Sequence, residues 1–128
     1  MLPAPNLIAK GNFTSESGYA AAAQLLSLAQ PPTAIFALND EMAVGAMQAA
    51  EQRGLRLPAD LSIVGFDDVE KAQIVRPALT TVRQPLAEMG RMAVSLLTRL
   101  LERQPIEAMR VELATKLIVR ESTAPPGG

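Results

Sequence analysis

Six side chains in this 128-residue sequence have the right types and spacing for polar or aromatic recognition: Phe13, Asn39, Asp40, Asp67, Asp68 and Gln84. Each carboxylate can accept two O–H or N–H bonds, and a carboxamide donates and accepts at once. A phenyl face can cover the C–H surface of a sugar or stack on a base. The structural alternatives are equally concrete. Phe13 could be a core residue, Asn39 or Asp40 could cap the helix that follows, and Asp68 could cap the loop after Asp67. Gln84 could serve a loop hydrogen bond.

The sequence has no cysteine and no histidine. That removes thiol nucleophiles, thiolate or imidazole metal sites and the commonest general base together. No glycine-rich phosphate loop or activated nucleophile accompanies the carboxylates, so an enzyme is the least favoured class. No catalytic residue, metal or cofactor is implied.

Twelve basic residues balance thirteen acidic ones for a formal charge of −1, with no clustered Lys and Arg. The chain therefore lacks the electrostatic footprint of a DNA-binding surface, and its four aromatics give no single-strand stacking platform. Hydrophobic residues make up 48% and charged residues 20%, which fits one folded domain rather than a disordered segment. No run reads as a membrane span, and the N-terminus has no signal-peptide pattern.

Alternating elements must position these side chains. Leu7-Ile8-Ala9 reads as a short buried strand delivering Phe13 to a loop. Thr14 to Ser17 supply capping chemistry for a helix from Ser15 to Ala29, stopped by Pro31-Pro32. Ser17 and Gly18 belong to its first turn by hydroxyl bonding and close packing. Ala34 to Leu38 is apolar throughout, the pattern of a strand covered on both faces. A helix from Glu41 to Arg53 follows, with Met42, Val44 and Met47 as core, and Gly54 ends it. Leu61 to Phe66 forms the next strand, Val69 to Val75 a short helical or irregular piece, and Leu79 to Arg83 another strand. A helix from Pro85 to Glu102 carries Leu86, Met89, Ala93, Leu96, Leu97 and Leu100 on one apolar stripe. Val111–Leu113 and Lys116–Val119 complete the strands. The order predicts a parallel α/β sheet, whose ligands sit outside the carboxyl ends of the strands.

The blocks Gly11-Asn12-Phe13-Thr14-Ser15-Glu16-Ser17-Gly18-Tyr19, Pro32-Thr33-Ala34-Ile35-Phe36 and Asn39-Asp40-Glu41-Met42-Ala43-Val44-Gly45-Ala46 are similar to the lactose and purine repressor family. So are the stretch from Gly54 to Asp68, the stretch from Pro77 to Pro85, and Arg120-Glu121-Ser122-Thr123, all in the family's order. The resemblance runs from about Gly11 to Thr123. It implies the C-terminal part of an effector-binding, periplasmic-binding-protein-like core, with a small molecule held between two lobes. The family carries a helix-turn-helix DNA-binding domain ahead of that core, and a cytoplasmic location follows.

By this resemblance the chain is an incomplete lobe, with Met1 as a truncation start. Residues 1–85 form the partial C-terminal lobe, 86–104 a crossover helix that the family packs on the other lobe, 105–123 a return segment and 124–128 a tail. Phe13, Asn39, Asp67 and Gln84 are the implied ligand-binding residues, with Asp67 the strongest and Gln84 the weakest. The expected ligand is a sugar or related polar metabolite, the expected partner a second copy, and DNA is reached only through the N-terminal domain. Two alternatives are an interaction fragment without ligand binding of its own and a fragment of a periplasmic sugar-binding protein. The uncovered apolar stripe of the 86–102 helix should either fold back on its own chain or exchange with another copy.

Overall fold

The computed structural model describes residues 3–127, so Met1, at the expected truncation start, and Gly128, at the end of the expected tail, lie outside the described residues. Strands β1 (Ala34–Phe36), β2 (Ser62–Asp67), β3 (Thr80–Arg83) and β4 (Lys116–Ile118) form a four-stranded sheet in the order β1-β2-β3-β4. β1 and β2 run parallel with Ile35 opposite Ile63, and β2 and β3 run parallel with Asp67 opposite Arg83. The helices are α1 (Ser15–Leu25), α2 (Asp40–Gln52), α3 (Glu70–Ile74) and α4 (Leu86–Leu101). This is the α/β, parallel-sheet architecture that the alternating apolar runs specify.

The chain divides into two compact units, Met1–Arg83 with Leu117–Gly128 and Gln84–Lys116. In the first, α2 supplies the largest share of the core: Met42, Ala43, Val44, Ala46, Met47, Ala49 and Ala50 are buried, with Leu61, Ile63 and Leu79 from the sheet side. Small residues let the helices approach closely. A Cβ on Gly45 would stand 1.9 Å from the Ser15 carbonyl oxygen, and one on Gly18 would stand 2.2 Å from that of Met42. The C-terminal segment is stitched to the sheet by Ser122, whose buried hydroxyl accepts from the Thr80 N–H (2.8 Å) and donates to the Ile63 carbonyl (2.6 Å).

Several elements differ from the sequence expectation. Leu7-Ile8-Ala9 forms no strand. Pro5 to Leu7 make a 3-10 turn instead, because Pro3 and Pro5 have no N–H to give a ladder and proline's fixed φ suits the start of a turn. α1 ends at Leu25 rather than Ala29. There the Arg53 guanidinium donates to the carbonyls of Leu26 (3.3 Å) and Ala23 (2.8 Å), so the last carbonyls are satisfied from outside the helix. β1 is not covered on both faces. As an edge strand it leaves Phe36 and, just beyond, Leu38 exposed, beside an apolar recess of about 500 Å³ whose lining includes Leu7, Ile8, Leu25, Phe36 and Met42. Val111–Leu113 forms no strand.

In the second unit α4 has no buried residue. Met89, Met92, Ala93 and Leu96 line a pocket of about 260 Å³ together with Val111 and Leu113, so the segment after the helix covers part of the stripe. Leu86, Val94, Leu97, Leu100 and Leu101 stay exposed.

Candidate functional site

The candidate residues of the first unit lie where α/β sheets place ligands, at the carboxyl ends of strands or in the loops beside them. Phe13 precedes α1, Asn39 follows β1 and Asp67 ends β2. Two of the three have positive φ, 68° at Phe13 and 113° at Asp67, and Asp68 follows with 58°. Non-glycine residues avoid this region because Cβ crowds the backbone, and φ near 113° lies outside even the small left-handed basin. Such conformations cost on the order of 1–3 kcal/mol each and persist only where surrounding contacts impose them, as they do at ligand sites.

Those contacts are visible at Phe13. Asn12 Oδ1 accepts from the Thr14 hydroxyl (2.6 Å), Ser17 Oγ accepts from the Asn12 N–H (2.9 Å), and Thr14 caps α1 by accepting from the Ser17 N–H (3.2 Å). Asn39 Nδ2 donates to the Phe13 carbonyl at 3.0 Å. The loop is thereby tied at both ends, and the Phe13 side is 67% exposed, which rules out a core phenylalanine. Phe13 also borders the recess along β1.

Asn39 and Asp40, either of which could have capped the helix, take different roles. Asn39, not Asp40, is the N-cap of α2, its Oδ1 accepting from the Met42 N–H at 2.9 Å. The extended φ of −153° at Asn39 aims the short amide back over the first turn. One N–H and one lone pair of that amide remain available beyond the two bonds it makes. Asp40 is 1% exposed and reaches inward: Oδ1 accepts from the Thr81 hydroxyl (2.6 Å) and Oδ2 from the Val69 N–H (2.8 Å). Burial raises its carboxyl above the usual carboxylate range against those two hydrogen bonds, and the charges of Asp67 and Asp68 push the same way.

The adjacent carboxylates of β2 separate cleanly. Asp68 has a side chain 3% exposed and accepts from Arg83 Nε (2.5 Å) and Arg120 Nη2 (2.6 Å), while Arg120 Nη1 also holds the Leu79 carbonyl (2.8 Å). Burial alone would raise its carboxyl, but the hydrogen bonds from Arg120 and Arg83, then their charges, outweigh it and hold it below the usual range. Asp68 is thus a structural clamp between the β2 end, the β3 end and the C-terminal segment. Asp67 is half-buried beside it. Gln84 opens the second unit, immediately after β3, and borders that unit's apolar pocket.

Sequence reasoning missed the inward role of Asp40 and its partners Thr81 and Val69. A signal was present at Gly65, alone inside a strand pattern, where such a glycine marks a close approach. A Cβ there would lie 2.3 Å from Asp40 Oδ1. Among the described residues no group of three or more His, Cys, Asp or Glu is placed to hold a metal ion, and no helix is long and apolar enough to cross a membrane.

Residues 2–123 match the model of the periplasmic binding protein-like domain. The chain is 45% identical over 119 residues to the HTH-type transcriptional repressor CytR of Escherichia coli, covering 93% of this chain and 35% of the repressor. The structure of a transcriptional regulator CelR–cellobiose complex superposes with a TM-score of 0.90 at 38% identity, over 95% of this chain and 37% of that one. A Lac repressor dimer bound to operator and the anti-inducer ONPF gives 0.83 at 36% identity, over 90% and 40%. The chain thus spans between a third and a half of the length of these relatives, which are transcriptional regulators and not enzymes. By its matched domain, the order of its motifs and its fold, the chain belongs to the periplasmic binding protein-like family, in the branch formed by the effector-binding domains of LacI-family transcription regulators.

Proposed function

We propose that this chain contributes one wall of the site at which a cytoplasmic transcription regulator senses a small polar effector, a sugar or related metabolite. The observation that carries the reading is the pair of imposed positive-φ residues, Phe13 and Asp67, at two neighbouring loop positions of the same sheet end. Asp67 offers acceptors to ligand hydroxyls, Phe13 an apolar face, and Asn39 its remaining amide donor and acceptor. Gln84, which opens the second unit, is proposed separately as a ligand contact. Cellobiose in the complex of the related CelR regulator supports a polyhydroxylated ligand. Ligand binding would favour one arrangement of the sensor core over another and so set the geometry of DNA-binding heads carried elsewhere in the protein, with a second copy as partner. The Lac repressor dimer on its operator supports both the second copy and DNA.

The test is a thermal-shift screen of sugars and nucleosides on the longest soluble form of the protein, followed by calorimetry with the best hit. Asp67→Asn should weaken binding by about 1.5–3 kcal/mol, the worth of a charge-assisted hydrogen bond. Phe13→Ala should lower affinity more than it lowers the melting temperature. Parent affinity in both variants would refute the assignment.

A further inference from the structure

From the ties around the α2 N-terminus we infer that Asp40 is the positioning residue of this site, holding the β2–α3 turn in the strained form that presents Asp67. The inference rests on the reading of Asp67 as a ligand contact. Its geometry stands on four observations.

First, the Asp67-Asp68 turn has φ of 113° and 58°, and the next residue, Val69, donates its N–H to Asp40 Oδ2 at 2.8 Å. The strained pair is therefore pinned at its exit by Asp40. Second, the other oxygen accepts from Thr81 Oγ1 at 2.6 Å, and Thr81 is fully buried in β3, the strand paired with β2. A carboxylate anchored on one side by the sheet interior and on the other by the loop backbone fixes the loop relative to the sheet. Third, Gly65 leaves the space this requires, since a side chain there would meet Asp40 Oδ1. Fourth, Asp40 follows Asn39, whose amide caps α2 and holds the Phe13 carbonyl. Consecutive residues at one helix start thus hold the two strained loops, Asn39 the one with Phe13 and Asp40 the one with Asp67. A buried carboxylate is a costly way to fill such space, and its two bonds are directed at the turn and its supporting strand rather than at a counter-charge.

The experiment is solution NMR on the full chain without any ligand, comparing the parent with Asp40→Asn, Asp40→Ala and Thr81→Val. The three-bond HN–Hα coupling of Asp67 reports its φ, and amide exchange at Val69 reports the pinning bond. Asn preserves an acceptor for Val69 and a hydrogen-bond partner for the Thr81 hydroxyl, so Asp40→Asn should keep the parent coupling and exchange. Asp40→Ala should move the Asp67 and Asp68 resonances and speed Val69 exchange about tenfold, while the Ile63 and Leu79 amides keep their protection. Should the alanine variant not fold, Thr81→Val decides: it removes the anchor and should shift the same resonances and speed the same amide. A folded Asp40→Ala or Thr81→Val protein with parent values at Asp67 and Val69 overturns the inference, as does an asparagine variant that loses the turn as fully as alanine. Because no ligand is present, these outcomes are independent of the Asp67→Asn binding test, which alone decides whether the presented carboxylate meets an effector.

Discussion

Two neighbouring aspartates, Asp67 and Asp68, end in different surroundings, Asp67 half-buried at the end of β2 and Asp68 with a side chain 3% exposed between two arginines. Asp68 lies between Arg83 and Arg120, and its carboxyl titrates below 3.8; its contribution to stability is therefore present above pH 3.8 and lost as pH falls through the depressed folded value. Half-buried Asp60, held to about 2 first by the Arg56 side-chain hydrogen bond and next by the Arg56 N–H, acts in the same direction. Asp40 has the opposite sign. Its raised carboxyl favours folding below 3.8, and that contribution disappears as pH rises through its folded value. Urea denaturation between pH 2.5 and 7 should show the parent losing stability below about pH 4, with this acid limb reduced in Asp68→Asn. Arg120→Ala should cost more than Arg83→Ala, since Arg120 is 14% exposed and Arg83 51%, and water screens the more exposed pair. Equal costs would contradict the clamp. Residue types alone could mark Asp67 and Asp68 as polar strand-end groups. That Asp68 is clamped depends on Arg120, 52 residues away in sequence.

At the scale of elements, hydrophobic periodicity located α1, α2, α4, β1, β2 and β3 to within a few residues, because each carries an apolar pattern whose period is fixed by its own backbone, whether or not that face ends up buried. The failures occur where something other than this pattern decides. Leu7-Ile8-Ala9 has strand-like residues but follows prolines that favour a turn, and the carbonyls at the end of α1 are taken by Arg53, the residue just after α2. Asn39 and Asp40 were legible as a helix start, but which one caps depended on the buried hydroxyl of Thr81. The α1–α2 crossing gives the sharpest element-scale test. Gly45→Ala would force a methyl to 1.9 Å from the Ser15 carbonyl, and overpacking of this kind costs about 1–3 kcal/mol or more, since backbone cannot yield as a side chain tip can. Gly90→Ala in α4 meets nothing within 4 Å, so it should instead stabilise that helix by roughly 0.5–1 kcal/mol through the gain in helix propensity. Chemical denaturation that found both substitutions neutral would show that the close approach of α1 and α2 relaxes freely.

At the scale of the whole molecule, the chain's own atoms leave two apolar surfaces in contact with solvent. One lies along edge strand β1, where Phe36 is 57% and Leu38 64% exposed, and the other along α4, where Leu97 is 56% and Leu100 49% exposed. The 111–115 segment covers only part of the α4 stripe and leaves the remainder for a further apolar surface to cover. Burying a large apolar side chain is worth about 1.5–3 kcal/mol, and three or four of them in one patch approach the whole stability of an ordinary domain. These 128 residues by themselves should therefore self-associate through α4. Light scattering should give a mass above that of the monomer, falling on dilution. Leu97→Glu with Leu100→Glu should shift the population to monomer without changing the cooperative unfolding of the first unit, since α4 has no buried residue. Phe36→Lys separates the two surfaces: if it dissociates the oligomer and the α4 pair does not, association runs through the sheet edge. A monomer at high concentration would show that an exposed stripe of this size is tolerated, and that α4 makes no interface between copies of the chain.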